Sequence, residues 1–241
     1  MAGAGAAGAR CPGCGRGHDA PASACSCGRF AVAADVVERG SGDPALGREV
    51  LGRFVLLGPI AYGARSTVHA ALDRRSGDGC IVKLIREEGE GGAALRALVR
   101  EAELLAGAPP GAAPAVRAVG VETIATADPA LPLVVLAALA LDRIDGEPFD
   151  DAFAKVGADR VGLARALLAT LGRLHEAGIV HGDLKPVHAR VTESGDVVLL
   201  DLGSGSRAAA RPACPPAVQP ADDDDAATPA YAAPERSEGP S

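Results

Sequence analysis

Aromatic residues are scarce in this chain. They make up 2% of its 241 residues, and tryptophan is absent. Large rings usually supply much of the buried area of a core, so alanine, valine and leucine must do most of the packing here, and we expect a core of modest stability. Apolar residues nevertheless reach 48%. The chain is therefore long and apolar enough for one medium core or two small ones.

Long apolar runs and an export signal are also missing. The longest apolar run, 130–141, has about 12 residues and contains Pro132, whereas a membrane-spanning helix needs about 20. The N-terminal MAGAGAAGAR has no basic stretch followed by an apolar one, so we predict no signal peptide. These absences predict a protein without a transmembrane segment and with a cytoplasmic location.

The chain has no surplus of basic charge. Aspartate and glutamate number 31 against 24 lysines and arginines, which leaves a net charge of −7 and a pI near 5.3. Nucleic-acid-binding surfaces are usually basic because they neutralise phosphates. The composition therefore argues against nucleic acid as the main partner.

Composition also divides the first 48 residues. Residues 1–10 are rich in alanine and glycine and predict a disordered leader. Residues 11–37 contain four of the six cysteines, and residues 38–48 have the glycine, serine and proline content of a linker.

The four cysteines have the spacing C-x2-C-x10-C-x-C, which resembles a zinc ribbon. Four thiolates suit tetrahedral zinc, and the glycines after the second and fourth cysteines allow the backbone to turn around a metal. The alternative is a set of free or oxidised thiols in a disordered leader, and His18 is a further candidate ligand. The predicted ligands of a structural Zn2+ are Cys11, Cys14, Cys25 and Cys27.

Hydrophobic periodicity predicts strands first and helices later. Apolar runs broken by turn residues predict a series of hairpins from Phe54 to Leu84. Helical spacing of leucines predicts a helix that ends at Gly107 and a second one over 159–177, with Val161, Ala164, Leu168, Leu171 and Leu174 on one face. Further strands are predicted near 116–125 and 133–141.

A pair of acidic residues flanks a predicted hairpin near the end of the chain. The string HGDLKP, residues 181–186, precedes an apolar hairpin over 189–200, and Asp201-Leu-Gly follows it. The hairpin would return Asp183 and Asp201 to the same end of a sheet. Two carboxylates so placed can hold a metal and orient a hydroxyl nucleophile, both of which phosphoryl transfer requires.

These strings, in this order, resemble the bacterial type of Ser/Thr protein kinase. HGDLKP is similar to the catalytic loop, Asp201-Leu-Gly to the DFG motif, and Thr228–Glu235, which ends in APE, to the end of the activation segment. Lys83 in CIVK matches the strand lysine, and Glu101 follows eighteen residues later, as the helix glutamate would. The likeness covers roughly residues 48–241.

The resemblance implies an α+β, two-lobed kinase-like fold behind the zinc-ribbon-like module. Residues 49–145 would form the N-lobe and hinge. Residues 146–241 would form a partial C-lobe, incomplete because the sequence stops shortly after APE, with 204–227 flexible. The implied cofactors are ATP and Mg2+, and the implied partners are ATP and protein substrates.

The resemblance also assigns roles. Asp183 would accept the proton of a substrate hydroxyl, and Lys185 would place positive charge near the transferred phosphate. Asp201 would bind magnesium, and His188 occupies the position of the second ligand, usually asparagine. The residues expected to bind ATP are Ala61, Gly63, Ser66 and Val68 of the glycine-loop region, the ion-paired Lys83 and Glu101, and Asp142 and Ile144 of the hinge.

Several departures from the family pattern support a second interpretation. Only Gly63 of the three loop glycines is retained, His188 replaces asparagine, Gly182 replaces the arginine of HRD, and Ile81 and Arg190 occupy the adenine pocket positions. The alternative is therefore a pseudokinase or truncated kinase that serves as a nucleotide-binding or protein-interaction module. A small-molecule phosphotransferase of the aminoglycoside-kinase kind shares the HGD string but not the APE segment.

Overall fold

The computed structural model describes residues 8–39, 43–63, 65–87, 91–125, 133–155 and 157–208. This part of the chain is a mixed α/β structure with several antiparallel sheets and few helices. It divides into two compact units. One reaches to Val99 and includes Val116–Arg143, and the other comprises Arg100–Ala115 and the residues from Ile144 onward. Within the described stretches, no helix is both long enough and apolar enough to cross a bilayer.

The first unit begins with a small antiparallel sheet of three strands in the order β2-β1-β3. Its strands are only two residues long, which is too short for independent stability. Ala9 and Val32 of these strands, and the neighbouring Ala31, are buried. The bounds are β1 (Ala9–Arg10), β2 (Gly17–His18), β3 (Val32–Ala33) and the following helix α1 (Ala34–Arg39).

The segment 43–47, which composition predicts to belong to a linker, is packed in the first unit. Leu46 is buried. The Phe30 N–H donates to the Gly47 carbonyl at 2.6 Å, and the Gly47 N–H donates to the Leu56 carbonyl at 2.9 Å. Gly47 has φ +68°, and a Cβ there would overlap the Phe30 carbonyl oxygen. The cysteine-bearing segment is thus hydrogen-bonded, through this turn, to the strand that contains Leu56.

The main body of the first unit is a six-stranded antiparallel sheet in the order β4-β5-β6-β7-β9-β8. The predicted hairpin series from Phe54 and the two later strands are confirmed. The bounds are β4 (Glu49–Val50), β5 (Phe54–Tyr62), β6 (Ser66–Asp73), β7 (Gly79–Arg86), β8 (Val116–Ala125) and β9 (Leu133–Asp142).

One face of this sheet buries the core. Along β7 the buried residues alternate with half-buried ones, as the two-residue period of a strand requires. The core contains one aromatic ring, Phe54, and is otherwise built from small and branched side chains. The expectation that alanine, valine and leucine do the packing is therefore confirmed. Its buried members include Leu56, Ala71, Val82, Leu84, Ala138 and Ala140.

The second unit combines helices with short strands. The second half of α2 (Ala93–Gly107) belongs to it, and this helix ends at Gly107 as predicted. The other elements are β10 (Glu147–Pro148), α3 (Phe149–Ala154), α4 (Arg160–Glu176), β11 (Ile179–Val180), a 3-10 turn (Pro186–His188), β12 (Ala189–Val191), β13 (Val197–Leu199) and β14 (Ser206–Arg207).

The helix predicted over 159–177 is confirmed as α4. Asp159 caps it by accepting a hydrogen bond from the Gly162 N–H at 2.8 Å, and Gly178 follows its end with φ +71°. The predicted apolar face is only partly buried. Leu174 is fully buried, whereas Val161 and Leu168 are 60% and 65% exposed. Leucine spacing located the helix, but it did not determine how much of that face is covered.

The predicted hairpin after HGDLKP is also confirmed. β12 and β13 pair antiparallel from Ala189↔Leu199 to Val191↔Val197, and Gly195 turns the chain with φ +85°. A second pairing, β11 with β14, joins the segment before His181 to the segment after Gly203. The two acidic strings therefore lie between paired strands of one unit.

Candidate functional site

The four cysteines predicted to bind zinc converge. Their Sγ atoms all lie within 4.8 Å of one another, with Cys11 and Cys27 3.3 Å apart and Cys14 and Cys25 3.6 Å apart. Sulfurs bound to one zinc at about 2.3 Å would be roughly 3.8 Å apart. Each of these cysteines is a free thiol. The cluster could therefore hold a metal such as zinc.

The local backbone explains why the cluster forms. Gly15 and Gly28, which follow the second and fourth cysteines, have φ +74° and +86°, so both turns need the left-handed conformation that glycine adopts readily. The Gly13 N–H points at the Cys11 sulfur at 3.4 Å. Such amide donors stabilise thiolates around a metal.

The thiols of the cluster differ in acidity. Burial and the neighbouring Cys27 raise the pKa of Cys11 to about 12. The backbone N–H of Cys27, helped by the His18 side chain, lowers the pKa of Cys25 to about 6 against the opposing effect of burial. Four adjacent thiols cannot all ionise unless a cation offsets their charge, so this donor set suits a divalent metal.

The second group of candidate residues lies in the second unit, around the HGDLKP string. The Lys185 ammonium donates to the Asp183 carboxylate, with Nζ 2.8 Å from Oδ2. Pro186 begins the 3-10 turn, and the His188 N–H donates to the Lys185 carbonyl at 2.9 Å. This turn places His188 next to the acid that precedes it by five residues.

His188 connects the two acidic residues that the hairpin brings to one end. Its Nδ1 is 3.0 Å from the Asp183 carbonyl oxygen, and its Nε2 is 3.6 Å from Asp201 Oδ2. Its ring stacks on that of His181, with centroids 6.0 Å apart. The structure therefore groups Asp183, Lys185, His188 and Asp201, all named from the sequence.

His181 holds the two strings together. It is buried, and its Nε2 lies 3.0 Å from the Leu200 carbonyl oxygen. Burial is the main cause that lowers the pKa of His181 below its ordinary value. The Leu200 N–H donates to the His188 carbonyl at 2.6 Å. The position of Asp201 is thus fixed against the loop that bears Asp183.

The backbone at Asp201 has an uncommon conformation. Asp201 has φ +60°, and its Oδ1 accepts from the Gly203 N–H at 3.3 Å. Leu202, at the position of the phenylalanine in the DFG motif that this string resembles, is fully buried. A buried leucine beside a left-handed aspartate anchors this turn while the carboxylate remains 40% exposed. Strained backbone of this kind is frequent at functional sites.

Gly182 is a residue whose importance the sequence did not reveal. In the sequence it stands only at the position of the arginine in the HRD motif that this string resembles. Its φ is +82°, and a Cβ there would overlap the carbonyl oxygen of Ser204. Glycine is needed because two backbone segments approach each other closely beside Asp183.

The candidate residues of the first unit share a row across the large sheet. Ala61 pairs with Val68, Val68 with Lys83, and Lys83 with Leu139. Paired residues project from the same face, and this face is opposite the one that buries Val82. Gly63 closes the β5–β6 connection, since its N–H donates to the Ser66 carbonyl at 2.8 Å.

The remaining first-unit candidate has a partner that the sequence did not predict. Asp142 Oδ1 accepts from Arg117 Nε at 2.6 Å, and Arg117 also bonds to the buried Asp73 at 2.9 Å. In the second unit, Glu101 is buried in α2 and Ile144 is half-buried. The Lys83–Glu101 ion pair stays a prediction.

Arg190, at a position that the resemblance assigns to the adenine pocket, has a backbone partner. Its Nη1 donates to the Gly146 carbonyl at 3.1 Å, next to the pairing of Arg190 with Pro148. A shallow groove of about 570 Å3 lies nearby in the same unit and is lined by Glu147, Lys155, Asp159 and Val191, without Asp183 or His188. The predicted activation-segment end, Thr228–Glu235, lies outside the described residues.

Neither a scan against protein-family models nor a search of curated proteins found a match for this chain.

Proposed function

We propose that this chain is a kinase-like phosphotransferase that transfers the γ-phosphoryl group of ATP to serine or threonine hydroxyls of proteins. The observation that carries the proposal is the grouping of Asp183, Lys185, His188 and Asp201 at one end of the β12–β13 hairpin. The fold proposed with it is the two-lobed kinase-like one, with the large sheet as N-lobe and the second unit as C-lobe.

Asp183 is the proposed base. Its carboxylate is largely buried and lies within 2.8 Å of the Lys185 ammonium. A positioned carboxylate can accept the proton of an attacking hydroxyl, and an adjacent lysine can offset negative charge on the transferred phosphoryl group. The Asp183–Lys185 contact supports this pair of roles because it keeps both groups at one point of the loop.

Asp201 is the proposed ligand for the metal of the nucleotide. Its carboxylate is 40% exposed and is offered by a turn that Leu202 anchors. Oxygen ligands of this kind suit Mg2+. When bound, Mg2+ supplies charge neutralisation on the phosphates. His188 lies at 3.6 Å from Asp201 and would be the second ligand.

The row Ala61–Val68–Lys83 supports a nucleotide site on the first unit. Small and branched side chains can cover an adenine ring, and a half-buried lysine in the same row can bind phosphate oxygens. Glu101 is the proposed partner of Lys83, and Asp142 and Ile144 would flank the adenine edge. ATP and protein substrates are the proposed partners, and the cytoplasm is the proposed location.

Structural zinc is the proposed metal of the cysteine cluster. Two of its cysteines are buried and two are exposed, and four-sulfur sites closed to further ligands are typical of structural zinc. Such a metal would hold the three short strands around it, which cannot bury enough surface alone.

A second candidate function is a nucleotide-binding pseudokinase or truncated kinase that acts as an interaction module. The observation that favours it is His188, whose imidazole lies between Asp183 and Asp201 where the resemblance expects an amide oxygen. A ring nitrogen is a poor ligand for Mg2+. This candidate predicts ATP binding without phosphoryl transfer.

The test uses the full chain, labelled ATP, divalent metal and a generic Ser/Thr protein substrate. We expect transfer by the wild type and by Asp150→Asn, an exposed carboxylate on α3, and at least a hundredfold loss for Asp183→Asn, in the range of general-base catalysis. Equal transfer by all three would refute the kinase proposal. A nucleotide-dependent thermal shift without transfer would favour the pseudokinase.

A further inference from the structure

The imidazole of His188 is held in one tautomer. Its Nδ1 is 3.0 Å from the Asp183 carbonyl oxygen. A carbonyl can only accept, so Nδ1 carries the hydrogen in this contact. In the neutral ring Nε2 then bears the lone pair, and this nitrogen faces Asp201. Histidines that ligate metals usually have this arrangement, with the second ring nitrogen donating to a carbonyl or carboxylate.

The gap between His188 and Asp201 is suited to a cation. Nε2 and Oδ2 are 3.6 Å apart, too far for a hydrogen bond. Two ligands bound to one ion at roughly 2.1 Å are separated by about 3 to 4 Å. Oδ1 of Asp201 accepts from the Gly203 N–H, and Oδ2 is the oxygen that lies 3.6 Å from His188 Nε2.

Neighbouring groups restrict the orientation of the His188 ring. Stacking on His181, with centroids 6.0 Å apart, restricts rotation of the His188 ring. Asp183 Oδ2 lies 3.8 Å from Nδ1, on the side away from Asp201. The 40% exposure of Asp201 leaves room for water or phosphate oxygens to complete the coordination.

We propose that His188 Nε2 and Asp201 Oδ2 together bind one divalent transition-metal ion of the Mn2+ class in preference to Mg2+. This inference rests on the proposed function, because the ion would be the one that carries the nucleotide phosphates. Mg2+ prefers oxygen ligands and loses water reluctantly, whereas imidazole binds first-row transition metals well. The replacement of an amide by an imidazole therefore changes which metal the site selects.

Mn2+ is also the suitable probe because it does not compete for the cysteine cluster. Thiolates prefer zinc to manganese by a wide margin. The full chain, with zinc present, can thus be titrated with Mn2+ and ATP, and the free Mn2+ read by its electron paramagnetic resonance signal. Pulsed spectra of the bound ion report directly whether a ring nitrogen coordinates it, and this readout does not depend on activity.

We expect nitrogen coupling to bound Mn2+ in the wild type and in His175→Asn, an exposed histidine of α4. In His188→Asn the coupling should disappear, and the ratio of Mn2+ to Mg2+ affinity should fall by about tenfold. Asp201→Asn should weaken binding of both metals while a circular dichroism spectrum reports its fold. The wild-type spectrum tests the inference even if a variant does not fold.

The inference would be overturned by bound Mn2+ without nitrogen coupling in the wild type, by an unchanged metal preference in His188→Asn, or by no binding of Mn2+ with or without ATP. ATP binding that needs no metal would also refute the inference. By contrast, nitrogen-coupled Mn2+ without any ATP binding would refute the proposed function and leave the metal site standing.

Discussion

The carboxylate of Asp73 is fully buried and forms a two-pronged ion pair with Arg53, with distances of 2.7 and 2.6 Å. Arg117 adds a third hydrogen bond at 2.9 Å. Removal of one partner from such a group leaves charges without compensation. We expect Asp73→Ala to lower the free energy of unfolding by about 3 kcal/mol, the lower end of the usual range because both arginines reach solvent.

The control for this prediction is Asp78→Ala. Asp78 faces the same Arg117 at 3.9 Å but is 64% exposed, so its loss should cost at most about 1 kcal/mol. Urea unfolding of both variants measures the difference. Equal destabilisation would show that the burial of Asp73 is not what matters.

The contact between the buried His69 and the partly buried Asp43 should make the first unit sensitive to acid. Burial opposes ionisation of Asp43, but the hydrogen bond from His69, with Nε2 2.6 Å from Oδ2, lowers the net pKa of Asp43 below its ordinary value. Arg53, in the same way, holds the pKa of Asp73 well below its usual range. A depressed carboxyl pKa contributes stability above the unfolded value and loses it as the pH falls through the folded value.

We therefore expect the free energy of unfolding to decline as the pH falls below about 4, the ordinary pKa of aspartate. Asp43→Asn should be less stable than the wild type at neutral pH and should lose less on acidification, since its amide does not titrate. Unfolding curves across this pH range measure both slopes. If the free energy of unfolding fell equally with pH in both proteins, Asp43 would not be a cause of the acid sensitivity.

Zinc content can be tested cysteine by cysteine. We expect about one zinc per chain in the wild type, and loss of that zinc in Cys14→Ser or Cys27→Ser, because a structural site needs all four ligands. Cys80→Ser should retain it, since Cys80 is a buried free thiol of β7 outside the cluster. Elemental analysis and chelator titration decide the matter. Zinc retained in both cluster variants would mean that the sulfurs do not bind it.

Two glycines with nearly equal φ provide a matched pair in the second unit. Gly182 has φ +82° and Gly195 φ +85°, but only at Gly182 would a Cβ overlap another backbone segment, and Gly195 has open space around it. Gly195→Ala should lower the free energy of unfolding by about 1 kcal/mol, the usual penalty for a left-handed residue.

Gly182→Ala should lower the free energy of unfolding by at least about 2 kcal/mol more than Gly195→Ala does, because the Ser204 carbonyl must move as well. It should also abolish the proposed phosphoryl transfer by displacing the adjacent Asp183. Thermal unfolding and transfer assays measure the two effects. If the two alanine variants were equally stable, the close approach at Gly182 would not constrain the loop.

The sequence predicts those strands and helices that depend on short stretches of neighbouring residues. β5, β6 and β7 follow from alternating apolar residues and turn residues, and α4 begins at an aspartate cap and ends before a glycine. The hairpin after His181 was predicted for the same reason. The convergence of the four cysteines followed from their spacing and from glycines suited to tight turns.

Contacts between distant residues could not be predicted in this way. Arg117 reaches Asp73 across 44 positions of the chain, and Ser204 meets Gly182 only because β11 pairs with β14. The tautomer of His188 depends on its contact with the Asp183 carbonyl, five residues earlier. That contact requires the 3-10 turn between them, whose geometry the amino-acid sequence does not specify. Exposure of Val161 and Leu168 likewise depends on what covers α4, which periodicity does not report.

The hydrogen bonds between Phe30, Gly47 and Leu56 limit where the chain can be truncated. A boundary placed after residue 48, where composition changes, would remove the Gly47 N–H from the Leu56 carbonyl and the Arg48 carbonyl from the Leu56 N–H of β5. An exposed strand edge can form hydrogen bonds with strands of other molecules. A shortened chain that begins there should accordingly self-associate, so any dissection of the two parts is safer with residues 43–48 left on the sheet.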